Sequence, residues 1–384
     1  MEPVTMDNVI AYTDDEKEDD IDRDLDVEAD ADDEHIYPLS DIKIEKGFYT
    51  VFELKRKADA SAPRIVLDSD FQRENVWNRK RNSELVESVL MGLPLPIFYF
   101  SQDKYGRLIV VDGRQRLTAL FSYMDGDYAL DRLRVLRDLN GKKFGDLTPV
   151  QTTRIEDFQI QAHVIIPPTP DRIKYDIFDR VNRGGIALNK QEMRNALYQG
   201  RSTRLLNRIV QKPSFINATG SAFIHDKRMK GKYLITRYLA MHLYIAGQIK
   251  DDNGKTYVYK GDIDDFLGHA MGRINVMADE EVAELEKMTD TTFDRVNHYL
   301  GSDAFRLRGG DRRTPVNMNV FEMIMTSFEG ASSELPQDKV AGIIYDVIDS
   351  AEFRNNIANH RDGAVNMKWR IDKALGLRQE LSRL

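Results

Sequence analysis

Hydrophobic positions change their period several times before about residue 200 and are mostly helical in period after it. Phe158, Ile160, Ala162, Val164 and Ile166 alternate with Gln159, Gln161 and His163, which is the pattern of a half-buried strand, and Pro167, Pro168 and Pro170 end it. Shorter apolar runs at Ile65–Leu67, Ile97–Phe100 and Leu108–Val111 predict three further strands, with a turn at Asp103–Gly106 joining the last two. Thr50-Val-Phe-Glu53 has the spacing of a capping box, so a short helix is expected from there to about Ala58. Leu85, Val86, Val89 and Leu90 recur at helical spacing until Gly92 and Pro94 stop them. A helix carrying Leu117, Leu120, Phe121 and Met124 follows the third short strand directly. Another carries Ile173, Ile177, Phe178 and Val181 and is closed by Asn182-Arg-Gly-Gly185. Asn189 and Glu192 form a second capping pattern ahead of Met193, Ala196 and Leu197. Beyond residue 200, runs such as Leu234, Ile235, Tyr238, Leu239 and His242 are helical. The pattern therefore predicts a compact α+β domain over 36–200 and a mainly α-helical domain over 201–384.

Charge divides the chain differently. The net value of −8 for the 384 residues is an average over two unlike parts. Residues 1–34 hold 16 acidic and 2 basic side chains, a net of −14, while the remainder holds 53 basic and 47 acidic, a net of +6. So dense a run of like charge with few large apolar residues cannot offset its ordering entropy by burial, and residues 1–35 are read as an acidic disordered tail. Such a tail either keeps the chain soluble or mimics nucleic acid and folds back over the basic body. There is no cysteine, which excludes disulfides, thiolate nucleophiles and cysteine metal sites and suits a reducing compartment. With neither a secretory signal nor a membrane-spanning apolar run, a soluble cytoplasmic protein without a membrane partner is expected.

Candidate chemistry concentrates at Asp112-Gly-Arg-Gln-Arg116, where a strand runs into a helix. The first amides of a helix have no intrahelical acceptor and favour an anion. Gly113 permits unusual backbone angles and close approach, and Arg114 and Arg116 carry planar forks matched to phosphate oxygens. Asp112 can cap the helix, hold a metal-bound water or accept a proton; Gln115 can orient water. An Asp-Gly turn with flanking arginines is also a common structural element, and both readings stand on these five residues alone.

The surrounding motifs add to the turn. Phe71-Gln-Arg-Glu-Asn-Val-Trp77 and Leu93-Pro-Leu-Pro-Ile97 precede it, and Phe178-Asp-Arg-Val-Asn-Arg-Gly-Gly-Ile-Ala-Leu188 follows. In this order and spacing, residues 45–200 resemble the N-terminal domain family of GmrSD-type restriction endonucleases, within the ParB/sulfiredoxin-like superfamily. That resemblance implies a nucleoside-triphosphate site, with hydrolysis controlling the cleavage of modified DNA. The family motif is usually Asp-Gly-Gln-Gln-Arg. Asp112, Gly113, Gln115 and Arg116 match it, and Arg114 stands in place of the first Gln, adding positive charge beside the phosphates. Asp112, Gln115 and Arg116 are the implied catalytic residues, with Asp112 also the ligand for a Mg²⁺ ion. Gln72, Arg73, Gly113, Arg114, Asn182 and Gly184 are the implied nucleotide contacts, although Asn182 equally suits a helix C-cap.

Family members add a C-terminal histidine-based nuclease, but none of the six histidines beyond His35 lies in a His-x-x-x-His or His-x-x-Pro context. A Gly-x-x-x-x-Gly-Lys loop is missing too, which excludes an ordinary P-loop ATPase. His242, among Leu and Tyr, reads as a packed or half-buried histidine, and Glu53-Leu-Lys55 as a helix surface. Arg306, Arg308, Arg312 and Arg313 flank Gly309 and Gly310 in a segment that resembles a basic stretch further along family members. These arginines suit DNA phosphates or, alternatively, surface ion pairs. The expectation is a nucleotide-binding, NTP-hydrolysing regulatory protein of DNA restriction or phage defence. It would act on DNA, with a nuclease partner subunit and as a homodimer. A non-catalytic DNA-binding module and an endonuclease with an unrecognised site are the alternatives.

Overall fold

The structure, a computed structural model, describes Ile21 and residues 42–61, 63–67, 77–103, 106–169, 174, 177, 189–226, 228–251, 253–309, 313–331, 334–358 and 361–384. It is α+β, with a five-stranded mixed sheet ordered β1-β5-β3-β4-β2. β1 (Ile44–Thr50) lies antiparallel to β5 (Gln159–Ile165), and β5 runs parallel to β3 (Phe98–Gln102). β3 is antiparallel to β4 (Leu108–Asp112), beside which the two-residue β2 (Ile65–Val66) runs parallel.

Alternation along these strands divides the sheet into two faces. Phe98, Phe100, Leu108, Val110, Ile160, Ala162 and Val164 enter one buried cluster. Residues from α1 (Val51–Ala58), α2 (Arg79–Leu90), α3 (Arg114–Met124) and α4 (Pro149–Glu156) join the same cluster and cover that face. Local chemistry starts these helices. Thr50 Oγ1 accepts from the Glu53 amide at 3.0 Å, and Asn78 Oδ1 accepts from the Arg81 amide at the same distance. Thr148 and Gln151 form a reciprocal capping box with Pro149 at the first helical position. The opposite face is covered near β4 by α5 (Lys190–Leu197), whose Met193 and Leu197 pack on Val111 and Tyr99. Asn189 and Glu192 form the expected capping box at its start.

A second buried cluster holds the helical body together. α6 (Arg201–Val210), α7 (Pro213–Ala218), α8 (Lys230–Ile245), α9 (Ile263–Asn275) and α10 (Asp279–Leu300) precede α11 (Met318–Phe328). α12 (Gln337–Ile348), α13 (Ala351–Ala358) and α14 (Ala364–Leu381) follow. Every residue of α11 is buried, which makes it the central helix; α8, α10 and α14 pack against it.

Charge is buried here as well. Arg237 and Arg370 are both 0% exposed at the side chain, and Glu322 is 1% exposed. Arg237 pairs with Glu322 and, through Nη2, with Asp362 at 2.5 Å, while its Nη1 donates to Tyr233 Oη at 2.8 Å. Arg370 lies 3.5 Å from Glu322 and donates to the Arg361 carbonyl at 2.6 Å. Asp264 of α9 joins α5 to the body by pairing with Arg194 and, at 3.4 Å, with Lys190.

Of the tail, Ile21 alone is described, and it is 1% exposed within the helical core; the disorder expected of its neighbours lies outside the described residues. So does the helix expected over Ile173–Val181, apart from Lys174 and Ile177, which are helical. Among the described residues no helix is long and apolar enough to cross a membrane.

Candidate functional site

β4 ends at Asp112, Gly113 makes the turn, and α3 begins at Arg114. Gly113 adopts φ 98°, in the left-handed region where a side chain is strained. A Cβ on Gly113 would also stand 2.1 Å from Phe98 Cδ1. The glycine is thus required for the packing of the Phe98 ring under the turn, a physical reason additional to ligand approach. The first intrahelical backbone bond is donated by Leu117 to the Gly113 carbonyl at 2.9 Å, so the amides before it lie in the turn that carries the helix's partial positive charge.

The two charged ends of the motif engage each other. Arg116 Nη2 donates to Asp112 Oδ2 at 2.6 Å and to the Ile97 carbonyl at 3.4 Å, and Nη1 donates to the Pro96 carbonyl. The guanidinium also covers the Phe98 ring, with Cζ 4.1 Å from the ring centroid. Arg116 is buried at 8%, and that burial lowers its pKa, opposed by the neighbouring Asp112 charge. Asp112 keeps 34% of its side chain exposed, and only Oδ2 takes part in the contact. Asp112 does not cap α3, therefore; it is held from behind by an arginine that the sequence suggested as a phosphate fork. Arg114 and Gln115 lie half-buried on the first turn of the helix. What this arrangement offers a ligand is one oriented carboxylate, a helix terminus and the Arg114 and Gln115 side chains.

The sheet carries more at this end. Cross-strand register sets Asp112 opposite Tyr99, Tyr99 opposite His163, and His163 opposite Lys46. Tyr99 and His163 stack with centroids 5.4 Å apart and planes at 21°. Alternation in β5 places His163 away from the apolar core, but nothing local in the sequence joins it to Tyr99, because the pairing is set by strand order.

The other expected residues are distributed unevenly. Gln72, Arg73, Asn182, Gly184 and Arg312 lie outside the described residues. Arg306 is only 6% exposed; it donates to the Thr314 carbonyl and lies 3.4 Å from Asp303, in an isolated bridge of Arg306 to Val316. That corrects its expected place on an open DNA-binding surface, since its burial serves the loop. Arg313 is turned back on Asp303 at 2.6 Å and on the Gly220 and Ser302 carbonyls. Arg308 has 59% of its side chain exposed, lies over the Tyr345 ring at 4.4 Å and pairs with Asp349 at 3.5 Å. Of the described three, Arg308 alone keeps more than half its surface in solvent. Among the described residues, no group of three or more metal-binding side chains comes together. His242 is half-buried, as expected, and its Nδ1 lies 2.5 Å from Glu329 Oε1.

Comparison with known proteins gives one result that bears on this site. Residues 52–199, which include β2 to β5, the turn and all of α5, match the family described as "GmrSD restriction endonuclease, N-terminal domain". No curated protein and no solved structure matches the chain. Over residues 52–199, then, the chain is similar to the GmrSD restriction endonuclease N-terminal domain family.

Proposed function

We propose that the Asp112–Arg116 turn binds and hydrolyses a nucleoside triphosphate, and that nucleotide state regulates a DNA restriction or defence activity. The observation that carries this reading is a half-exposed carboxylate, fixed by a buried guanidinium, at the terminus of a helix whose N-cap is glycine. Phosphates at that terminus gain the amide dipoles and the Arg114 charge. Asp112 and Gln115 orient the attacking water at the γ-phosphorus; the bond to the β–γ bridging oxygen breaks, leaving nucleoside diphosphate and inorganic phosphate. Arg116 acts as a positioning residue that keeps the carboxylate in place. A Mg²⁺ ion fits as one carried by the phosphates with Asp112 as its protein ligand, an arrangement common for that ion, and would neutralise phosphate charge.

Regulation would pass through α5. One side of that helix packs on Val111, immediately before Asp112, and on Tyr99; Lys190 and Arg194 anchor it to Asp264 in the helical body. The family setting suggests that this body meets DNA, with Arg308 the best described candidate for a phosphate contact, together with a nuclease supplied by a partner subunit. Homodimerisation stays part of the proposal.

Phosphate release from each of the four common nucleoside triphosphates, with Mg²⁺ and with or without DNA, tests the reading. Turnover by the wild type that is lost in Asp112→Asn and Gln115→Ala supports it. Binding without phosphate release would replace it with a non-catalytic nucleotide sensor, an outcome that the added Arg114 charge makes chemically coherent.

A further inference from the structure

The turn accounts for phosphates and leaves the nucleoside unassigned. Tyr99 and His163 stand on the sheet face opposite Phe98, Phe100, Ala162 and Val164, as strand alternation requires. They occupy the same cross-sheet row as Asp112, and Lys46 of β1 ends the row. At the usual strand spacing His163 lies roughly 10 Å from Asp112, the order of length between the terminal phosphate and the base of an extended nucleotide. One step further along β1, Phe48 is 64% exposed, an uncommon state for a phenylalanine, and pairs in register with the exposed Gln161. Because Phe48 and Lys46 alternate with Tyr49, which packs on Phe100 at 5.9 Å, they share the face of His163. Phe48 and His163 are diagonal neighbours across β1 and β5, a separation that aromatic side chains can bridge.

We propose that the β1–β5 side of this face is the nucleoside-binding surface: the base stacks on exposed Phe48 and on His163, whose ring is backed by Tyr99 beneath α5, while Lys46 and Gln161 meet its polar edge. The proposal rests on the phosphate reading of the turn. Stacking of this kind accepts any base face, so the aromatic residues supply affinity and the polar pair supplies preference.

Calorimetric titration of the full chain with a nucleoside triphosphate and, separately, with inorganic tripolyphosphate, each with Mg²⁺, separates the two readings. Phe48→Ser changes an exposed position and His163→Ala removes the stacked ring. Each is expected to weaken nucleoside-triphosphate binding about tenfold and leave tripolyphosphate affinity unchanged. Tyr99→Phe should retain wild-type affinity, because it keeps the ring. Arg114→Ala should weaken both ligands, reporting the turn alone. If the wild type binds tripolyphosphate as tightly as the nucleotide, or if Phe48→Ser and His163→Ala leave nucleotide affinity untouched, the surface is wrong and the turn stands. If the two variants weaken both ligands equally, their effect is structural and the surface is again wrong. Wild type that binds neither ligand overturns the turn and the surface together.

Discussion

Arg116 in the sheet domain and Arg237 in the helical body are both buried arginines facing carboxylates, yet their surroundings push them in opposite directions. Around Arg237 the desolvation of burial is outweighed by Asp362 and Glu322, and its pKa is raised. Around Arg116 burial outweighs the single Asp112, and the pKa is lowered. One guanidinium has a full complement of negative charge; the other is under-compensated, beside a helix terminus and an exposed carboxylate edge. The closed arrangement holds helices together, whereas the other fixes a single carboxylate whose second edge stays toward solvent at a helix terminus.

The closed side should give the largest loss. Glu322→Ala leaves Arg237 and Arg370 short of a buried partner, and chemical denaturation should show a cost of about 3–5 kcal/mol. If the protein unfolds at the wild-type midpoint, the network does not stabilise the body. On the open side, Asp112→Asn should reduce phosphate release by about 100-fold or more while leaving the circular-dichroism spectrum native. Equal turnover in the variant removes Asp112 from the chemistry. Gly113→Ala combines a left-handed backbone with a clash against Phe98 and should cost about 2 kcal/mol. Thermal melting reads that cost, and an unchanged melting temperature would mean that the turn relaxes freely.

Acid should separate the regions more gently. Burial alone would raise Asp264 and Asp362, but Lys190 and Arg194 outweigh it at the first and Arg237 and Arg370 at the second, so both lie below the ordinary 3.8. A carboxylate depressed on folding contributes its full stabilisation above its unfolded pKa and loses it as pH falls through the lower folded value. Stability should therefore decline below about pH 4, less steeply in Asp264→Asn than in wild type; identical slopes would detach the α5 anchor from acid unfolding. The smallest effect belongs to Arg308→Ala. Its exposed pairing contributes under about 1 kcal/mol, and the salt slope of DNA binding should fall by about one if it meets a phosphate.

Legibility in the sequence followed the range of the interaction. The caps at Thr50 and Asn189 lie within three residues of their partners: Asn189 and Glu192 form the full box that the spacing predicts, while at Thr50 the hydroxyl takes the Glu53 amide and the Glu53 carboxylate turns to Lys57. The alternation of 158–166 gave β5 with its buried set, and the strand–turn–helix around Asp112 was equally local. Glu87 could not be foreseen: it sits in a helix pattern, yet its carboxylate accepts the amides of Val135 and Leu136 at 2.8 Å from a loop almost fifty residues away. Arg194, Arg237 and Arg370 likewise find their carboxylates across the fold. Arg306 misled for the same reason, because a run of arginines reads as a surface until the backbone carbonyls that take them are known. At the turn, the motif was legible as a strand running into a helix, while the bonds from Arg116 to Asp112 and the Pro96 carbonyl appear only in the fold.

Ile21 has a practical bearing on how the N terminus is studied. Removing the first 34 residues would subtract both 16 of the 63 acidic side chains and one fully packed core side chain, whose burial contributes about 1.5–3 kcal/mol. A shortened protein that melts early would thus report a hole in the helical core before it reported lost repulsion or lost mimicry. Charge-neutralising replacements that spare Ile21 isolate the electrostatic contribution, and Ile21→Ala isolates the packing.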